Sequence, residues 1–486
     1  MQINFQIMKR FAFIVSLTTV MFSITSCSSD IPQTQTNSQV SDSVSLSSHD
    51  SESSNSTEKT EDIVLTVAMS GDSSQMTDII KEFNELDNGY RVEIKQYGND
   101  LDMMDDTVDL SPEYYAQLDF EIIQDIINSD EIDIVCNNSF FNECNYRILQ
   151  NKEAFVDLYS FMENDSEVNK TTLNNHILNV NEIDGKLYTL PTFYAVNTLV
   201  GDTQYVGSKE NWTIDEFISH WNEMPDGTTI AGATAKENVY RSLLQFNLSS
   251  FIDYDNAEVH FDSSEFKGML EFCNSFPSMV GEKGTYDYDA VSFVDSVIID
   301  QIMSAQMFSE ENGKTFVGYP SSDGNGAYFT PYGICYSISA KSSPEEQKGA
   351  WEFIRTFVTE EWQIENVIPF IEEAGPIETH YSTELGLCVN NNAFDKIADG
   401  LINHEYYSAT FVDKDIEYER YFPTEEDVDK LKAYIDTINL WGTVVDDSLW
   451  EIIRDEVFTY FNGETTINEC IDFIQNRASI WISEQS

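Results

Sequence analysis

The run IVLTVAMS at Ile63–Ser70 is followed by the turn signal GDSS and then by Met76, Ile79, Ile80, Phe83 and Leu86 at helical spacing. The first run is short and β-rich. The second repeats its apolar residues every three or four positions and so buries one face of a helix. Asn88-Gly89 stops that helix, and YRVEIKQYG at 90–98 reads as a second strand. A strand that returns through a helix to another strand forms a parallel pair with a right-handed crossover, so the expected fold class is α/β. A further helical stretch ends near Asn128, and IDIV at 132–135 supplies a third strand. Thr213, Ser343 and Thr466 each stand three residues before a glutamate and predict the capped start of a helix. No fixed-period repeat appears, which argues against solenoids and propellers.

The N-terminus is of a different kind. Lys9 and Arg10 precede FAFIVSLTTVMFSI, an apolar run too short for a comfortable membrane span, and this pattern is an export signal. Ile24-Thr25-Ser26-Cys27 resembles the lipobox of bacterial lipoproteins, which implies a signal peptide at 1–26 and lipidation of Cys27. The Ser-, Thr- and acid-rich stretch that completes 27–61 holds almost no large apolar residue to offset the entropy of ordering. As a flexible coil it would reach about 30 Å.

From residue 62 onward the composition is that of a large folded body. The chain has 85 Asp plus Glu against 26 Lys plus Arg, a formal charge of −59, which disfavours nucleic acid and repels anionic lipid from the folded part. No other segment approaches 18 uninterrupted apolar residues, so no further span is expected. The cysteines beyond Cys27 (Cys136, Cys144, Cys273, Cys335, Cys388 and Cys470) fit no zinc pattern and are expected mostly as free, buried thiols. Cys136 and Cys144 are the near pair that could bridge one loop. HExxH, GxSxG and a full GxxxxGK[ST] phosphate loop are absent and the histidines lie far apart, so nucleophilic chemistry, a metal and a cofactor are not expected. The acidic run NDLDMMDDTVD lacks the EF-hand glycine and terminal glutamate at their offsets. Among so many carboxylates an acid pair of glycosidase type is not excluded by composition.

Several segments, in order, resemble one family. IIKEFNEL with GYRVEIKQYG, EIDIVCNN, FVDLYSFMENDSEV, IDGKLYTLPTFYAV, NWTIDEF, FVGYPSSDGNGAYFTPYGICYSISAKSSPEEQKGAWEFI and the closing EVFTYFNGETTINECIDFIQNRASIWISEQ look like the extracellular solute-binding proteins, family 1, that serve the sugar importers of the ABC class. The resemblance implies a type II periplasmic-binding-protein-like fold of two α/β lobes with a ligand cleft between them. Lobe 1 is expected at about 62–192 and 330–367, and lobe 2 at about 195–320 and 370–486. Crossings are expected at 190–196 and 318–332, with a third after Ile368. Family membership implies capture of a carbohydrate, an oligosaccharide above all, by lobe closure, and its delivery to ABC permease subunits. The protein would be a lipid-anchored monomer on the outer face of a cell without an outer membrane, with no enzymatic activity. A surface glycoside hydrolase and a sensing lipoprotein are the alternatives.

Sugars present hydroxyls and flat C–H faces, so their sites combine carboxylates, amides and aromatic rings. On position, the candidate ligand-binding residues are Asp72 after the first strand, Asn137 and Asn138 at the end of the third, Tyr194 at the first crossing, Asp323 and Tyr328 in the Gly-rich run by the second, and Trp441 in a loop as the stacking platform. Trp212, just ahead of a helix start, is a weaker candidate that would otherwise serve as a hydrophobic staple.

Overall fold

The computed structural model describes residues 62–484 apart from 71–73, 99–111, 139–148, 150–151, 245–247, 254–255, 280–285, 288–289, 310–311, 323, 325, 374–385, 407–409, 414–415, 420 and 442–446. The export signal, Cys27 and the linker therefore lie outside the described residues.

Strand β1 (Ile63–Ser70) pairs in parallel with β2 (Tyr90–Tyr97) from Ile63↔Tyr90 to Ser70↔Tyr97. The intervening helix, Ser74–Asn84, buries Met76, Ile80 and Phe83, three of the residues that carry the helical period. The third strand, β3 (Ile134–Asn138), takes the other edge of β1, again in parallel. It begins later than IDIV suggests, although the Asp133 amide already donates to the Thr66 carbonyl at 3.0 Å. The Asp133 carboxylate accepts the Thr66 amide at 2.8 Å and the Ser342 hydroxyl at 2.6 Å, so a donor that a ladder would give to a carbonyl goes to a side chain instead.

The long strand β4 (Leu190–Asp202) follows; then come the short pair β5 (Ile252–Asp253) and β6 (Glu258–Val259), β7 (Asp295–Ile299), β8 (Lys314–Phe316), β9 (Tyr328–Ile338), β10 (Leu387–Cys388), and the hairpin β11 (Thr410–Asp413) and β12 (Ile416–Glu419). Among the described residues the main sheet runs β10-β4-β9-β3-β1-β2, with β7 and β8 also on β4. Contacts of β9 with β3 and with β4 are antiparallel.

Strands β4 and β9 thread three apolar bodies in opposite directions. Leu190, Tyr336 and Ile338 belong to the body built around β1, β3 and the helix Pro344–Ile354. Phe193, Tyr194, Val196 and Phe329 belong to a middle body with Leu387, Leu431 and Ile438. Leu199 and Tyr328 belong to a third, formed by the segments around Trp212, Phe266, Phe293, Ile453 and Trp481. All but the last residue of β4 are buried, Thr192, Asn197 and Thr198 included, as in a strand covered on both faces.

The second strand of this pair starts at Tyr328 rather than at Gly318. Before it, a Cβ on Gly326 would stand 1.7 Å from the Tyr319 carbonyl oxygen, so only glycine fits there.

Reciprocal caps form at Thr213/Glu216, Ser343/Glu346 and Thr466/Glu469. A further box at Thr424/Asp427 escapes the sequence pattern because aspartate replaces glutamate at its third position. Trp212 is 0% exposed, and its ring packs edge-on to Phe217 at 6.4 Å. It is thus the staple residue of its helix, not a cleft residue. Cys136, Cys273, Cys335, Cys388 and Cys470 are unpaired and buried, while Cys144 lies outside the described residues. Burial pushes all five thiols well above their ordinary range. Among the described residues no helix is long and apolar enough to cross a membrane.

Candidate functional site

The carboxyl ends of parallel strands are where α/β sheets place ligands, because the chain leaves them in loops and the sheet offers no side-chain cover there. Strands β1 and β2 end level with each other at Ser70 and Tyr97. The register Ala68↔Val135, continued along β1 and β3, sets Ser70 level with Asn137. Asn137 and Asn138 are thus the last residues of β3, and their backbone lies opposite Cys335 and Ile334 of β9.

At that point the edge of β9 loses its partner. The next contact along it is at Phe329, whose amide donates to the Leu440 carbonyl at 2.9 Å and whose backbone bridges to Trp441. Between Ile334 and Phe329 this edge has no strand beside it among the described residues, a gap of about 15 Å at strand rise. The opposite edge stays paired to β4 throughout, with Thr330↔Ala195, Pro331↔Tyr194 and Tyr332↔Phe193. Burial follows the same division. Residues 330–334 are half-exposed, while both ends of β9 are buried.

Two residues keep the gap open. Since the Phe329 amide faces it, Pro331 two residues on faces it as well, and proline carries no N–H to offer a further strand. Gly333 has φ +76°, and between Pro191 and Phe193 the register slips so that β9 carries an extra residue. This bulge bends β9 where β3 departs. The signal for both is the TPYG sequence at 330–333, where proline and glycine interrupt an otherwise strand-like run. Sequence reasoning placed a crossing there but singled out none of these residues.

The floor beneath the gap is aromatic. Phe329 is 0% exposed and meets the edges of Tyr194 at 5.6 Å and His176 at 6.0 Å. Tyr194 is 1% exposed and supports this floor from within, so its ring does not line an open surface in this conformation. Burial, with Cys388 and Asp436 nearby, pushes its phenol well up. Tyr328 is also buried, tilted against Tyr319 at 5.8 Å, and its hydroxyl has no hydrogen-bond partner among the described residues. Trp441 is half-buried against the middle apolar body and stands at one end of the gap. Asn138 stands at the other. Asp72 and Asp323 lie outside the described residues.

Polar groups also converge near the strand pair. The Asn197 amide donates to Thr330 Oγ1 at 2.9 Å, and the Tyr332 hydroxyl donates to Asp300 at 3.1 Å. Burial raises the Asp300 carboxyl above its usual range, while the Tyr332 bond acts against that shift. Among the described residues, no group of three or more His, Cys, Asp or Glu is placed to hold a metal ion. A backbone edge with amides and hydroxyls near it and Trp441 at one end suits a solute that is polar at its periphery and flat on its faces.

The architecture recurs in solved structures. Over 87% of this chain and 100% of its own, the cyclic alpha-maltosyl-1,6-maltose binding protein of Arthrobacter globiformis superposes with a TM-score of 0.50 at 13% identity. The sugar-binding protein MalE of Xanthomonas citri does so over 87% and 98%, with a TM-score of 0.50 at 10% identity. This chain has the type II periplasmic-binding-protein fold. An extracellular solute-binding protein of family 1 from Alicyclobacillus acidocaldarius, at 11% identity and a TM-score of 0.50, covers 87% of this chain with 99% of its own. No family model and no curated protein sequence matches the chain. In this chain β4 and β9 are the strands that pass between separate apolar bodies.

Proposed function

We propose that this chain is a membrane-anchored extracellular binding protein that captures a carbohydrate, most simply an oligosaccharide, and delivers it to the permease of an ABC importer. The observation that carries this reading is the open edge of β9 between Asn138 and Trp441, at the carboxyl ends of parallel strands and on the pair that joins the apolar bodies. Two proteins of the same fold are named for sugars they bind, and that supports the choice of solute class. Capture would work by population shift. Solute touching both lobes stabilises a closed arrangement by its differential affinity, and no bond is made or broken. Lipidation at Cys27, with 28–61 as a leash, would keep the body beside its permease.

Trp441 is assigned the stacking role because it combines an indole with a place at the end of the gap. The test is calorimetry with maltotriose and with cyclic and linear glucose oligosaccharides of increasing length. Binding by the wild type and a loss of about 2 kcal/mol in Trp441→Ala are expected. If no sugar in the series binds, the solute class is wrong. If sugar binds equally well to Trp441→Ala, the indole is not part of the site.

A further inference from the structure

The segment that carries Trp441 follows the helix Glu425–Ile435 as irregular chain, so its place at the gap must be set by contacts from elsewhere. Two of its carbonyls, spaced two residues apart, are held. Leu440 accepts the amide of Phe329 at 2.9 Å. Ile438 pairs with Nε2 of His176 at 2.8 Å, and a carbonyl accepts, so Nε2 carries the proton and donates. The two anchors are themselves joined, since the His176 ring meets Phe329 edge-on at 6.0 Å. His176 is fixed in turn from its own side. Asn174 caps the helix Asn175–Val180 by accepting the amides of His176 at 3.1 Å and Ile177 at 3.3 Å, and the Asn174 amide donates to Val389 at 2.7 Å. Imidazole, carbonyl, phenyl ring and crossing strand therefore form one closed circuit around the base of the Trp441 segment.

We propose that His176 is a positioning residue that sets Trp441 at the open edge of β9. It touches no solute. Its donor fixes the Ile438 carbonyl, and through that bond and the Phe329 ring it fixes the direction in which the chain reaches Trp441. The residues are 262 positions apart, so the bond also ties an early part of the chain to a late one across the strand pair. Without it the segment keeps its bond from Phe329 and the packing of Ile438 and Trp441, but the Ile438 carbonyl is no longer fixed and the indole shifts from its place. The consequence for affinity rests on the reading of Trp441 as a solute contact, but the positioning itself does not.

The experiment separates the two. The full chain is labelled with 5-fluorotryptophan, and among its 7 tryptophans the Trp441 resonance is assigned by its loss in Trp441→Phe. His176→Phe keeps a ring against Phe329 and removes the donor, whereas His176→Gln keeps a donor of similar reach and removes the ring. The Trp441 resonance should shift or broaden in His176→Phe, with the other tryptophans unmoved, and return towards its wild-type position in His176→Gln. An unmoved Trp441 resonance in His176→Phe overturns the proposal, as does equal disturbance of every tryptophan. With maltotriose as probe, His176→Phe should bind about tenfold more weakly than wild type, the loss of one hydrogen bond's worth of placement. A moved resonance with no sugar bound by any form upholds the positioning and removes the carbohydrate reading.

Discussion

Replacing Tyr328 with Phe isolates one oxygen atom. The ring is 2% exposed and packed among Tyr319 and the third apolar body, and phenylalanine fills the same volume, so neither cavity nor strain follows from the change. What disappears is a hydroxyl that has left water without finding a partner among the described residues. A buried unsatisfied hydroxyl costs about 1–3 kcal/mol, and the variant is relieved of that cost. Stability without solute should therefore rise by at least about 1 kcal/mol, read as a higher urea midpoint at an unchanged m-value. An unpartnered donor at the end of β9 is also a group that solute, or a lobe that moves onto it, can satisfy. Affinity for any sugar that binds should then fall, by up to about tenfold for a single neutral hydrogen bond. A variant less stable than the wild type would refute the reasoning, because it would mean that the hydroxyl is satisfied in the free protein.

Other expectations follow from the same geometry. Arg355 donates to both oxygens of Asp165, one at 3.1 Å, and Trp351 Nε1 donates to the same carboxylate at 3.0 Å, with side chains of Asp165 and Arg355 that are 9% and 19% exposed. Arg355→Ala should cost about 2 kcal/mol, between the values for exposed and fully buried pairs, in urea melts. Burial pushes the Asp165 carboxyl up, but bonds from Arg355 and from the Val168 and Glu167 amides outweigh it and hold the group below its ordinary value. That stabilisation is complete above the unfolded pKa of about 4 and is lost as pH falls through the folded value, so the acid slope of stability should flatten in Arg355→Ala; an identical slope would sink the linkage. Cys27→Ala should move the protein from the membrane fraction to the soluble one, and retention after a salt wash would count against lipidation. Small-angle scattering at saturating sugar should show a smaller radius of gyration than without it, and an unchanged profile would argue against lobe closure.

Much of this molecule is legible in the sequence because it depends on near neighbours. The β-α-β opening, the capped helix starts and the burial of Met76, Ile80 and Phe83 follow from periodicity and from hydroxyls three residues ahead of a carboxylate. These are decided within a turn or two of helix. The order of the sheet is different. That β9 would lie between β3 and β4, and would serve two apolar bodies, depends on pairings more than a hundred residues apart that no local pattern encodes. Tyr194 and Tyr328 show what position alone leaves undecided. An aromatic residue at a crossing faces either the opening or the core, and strand register, which inverts with a one-residue slip, decides between them. Here it turned both inward. Pro331 and Gly333 were visible as interruptions, but only the departure of β3 at Ile334 and the arrival of Trp441 at Phe329 make them the keepers of an open edge. The sequence by itself determined the elements and the chemistry available to a site. Which groups share that site was settled by long-range packing, because the contacts that choose it join residues that only the folded sheet brings together.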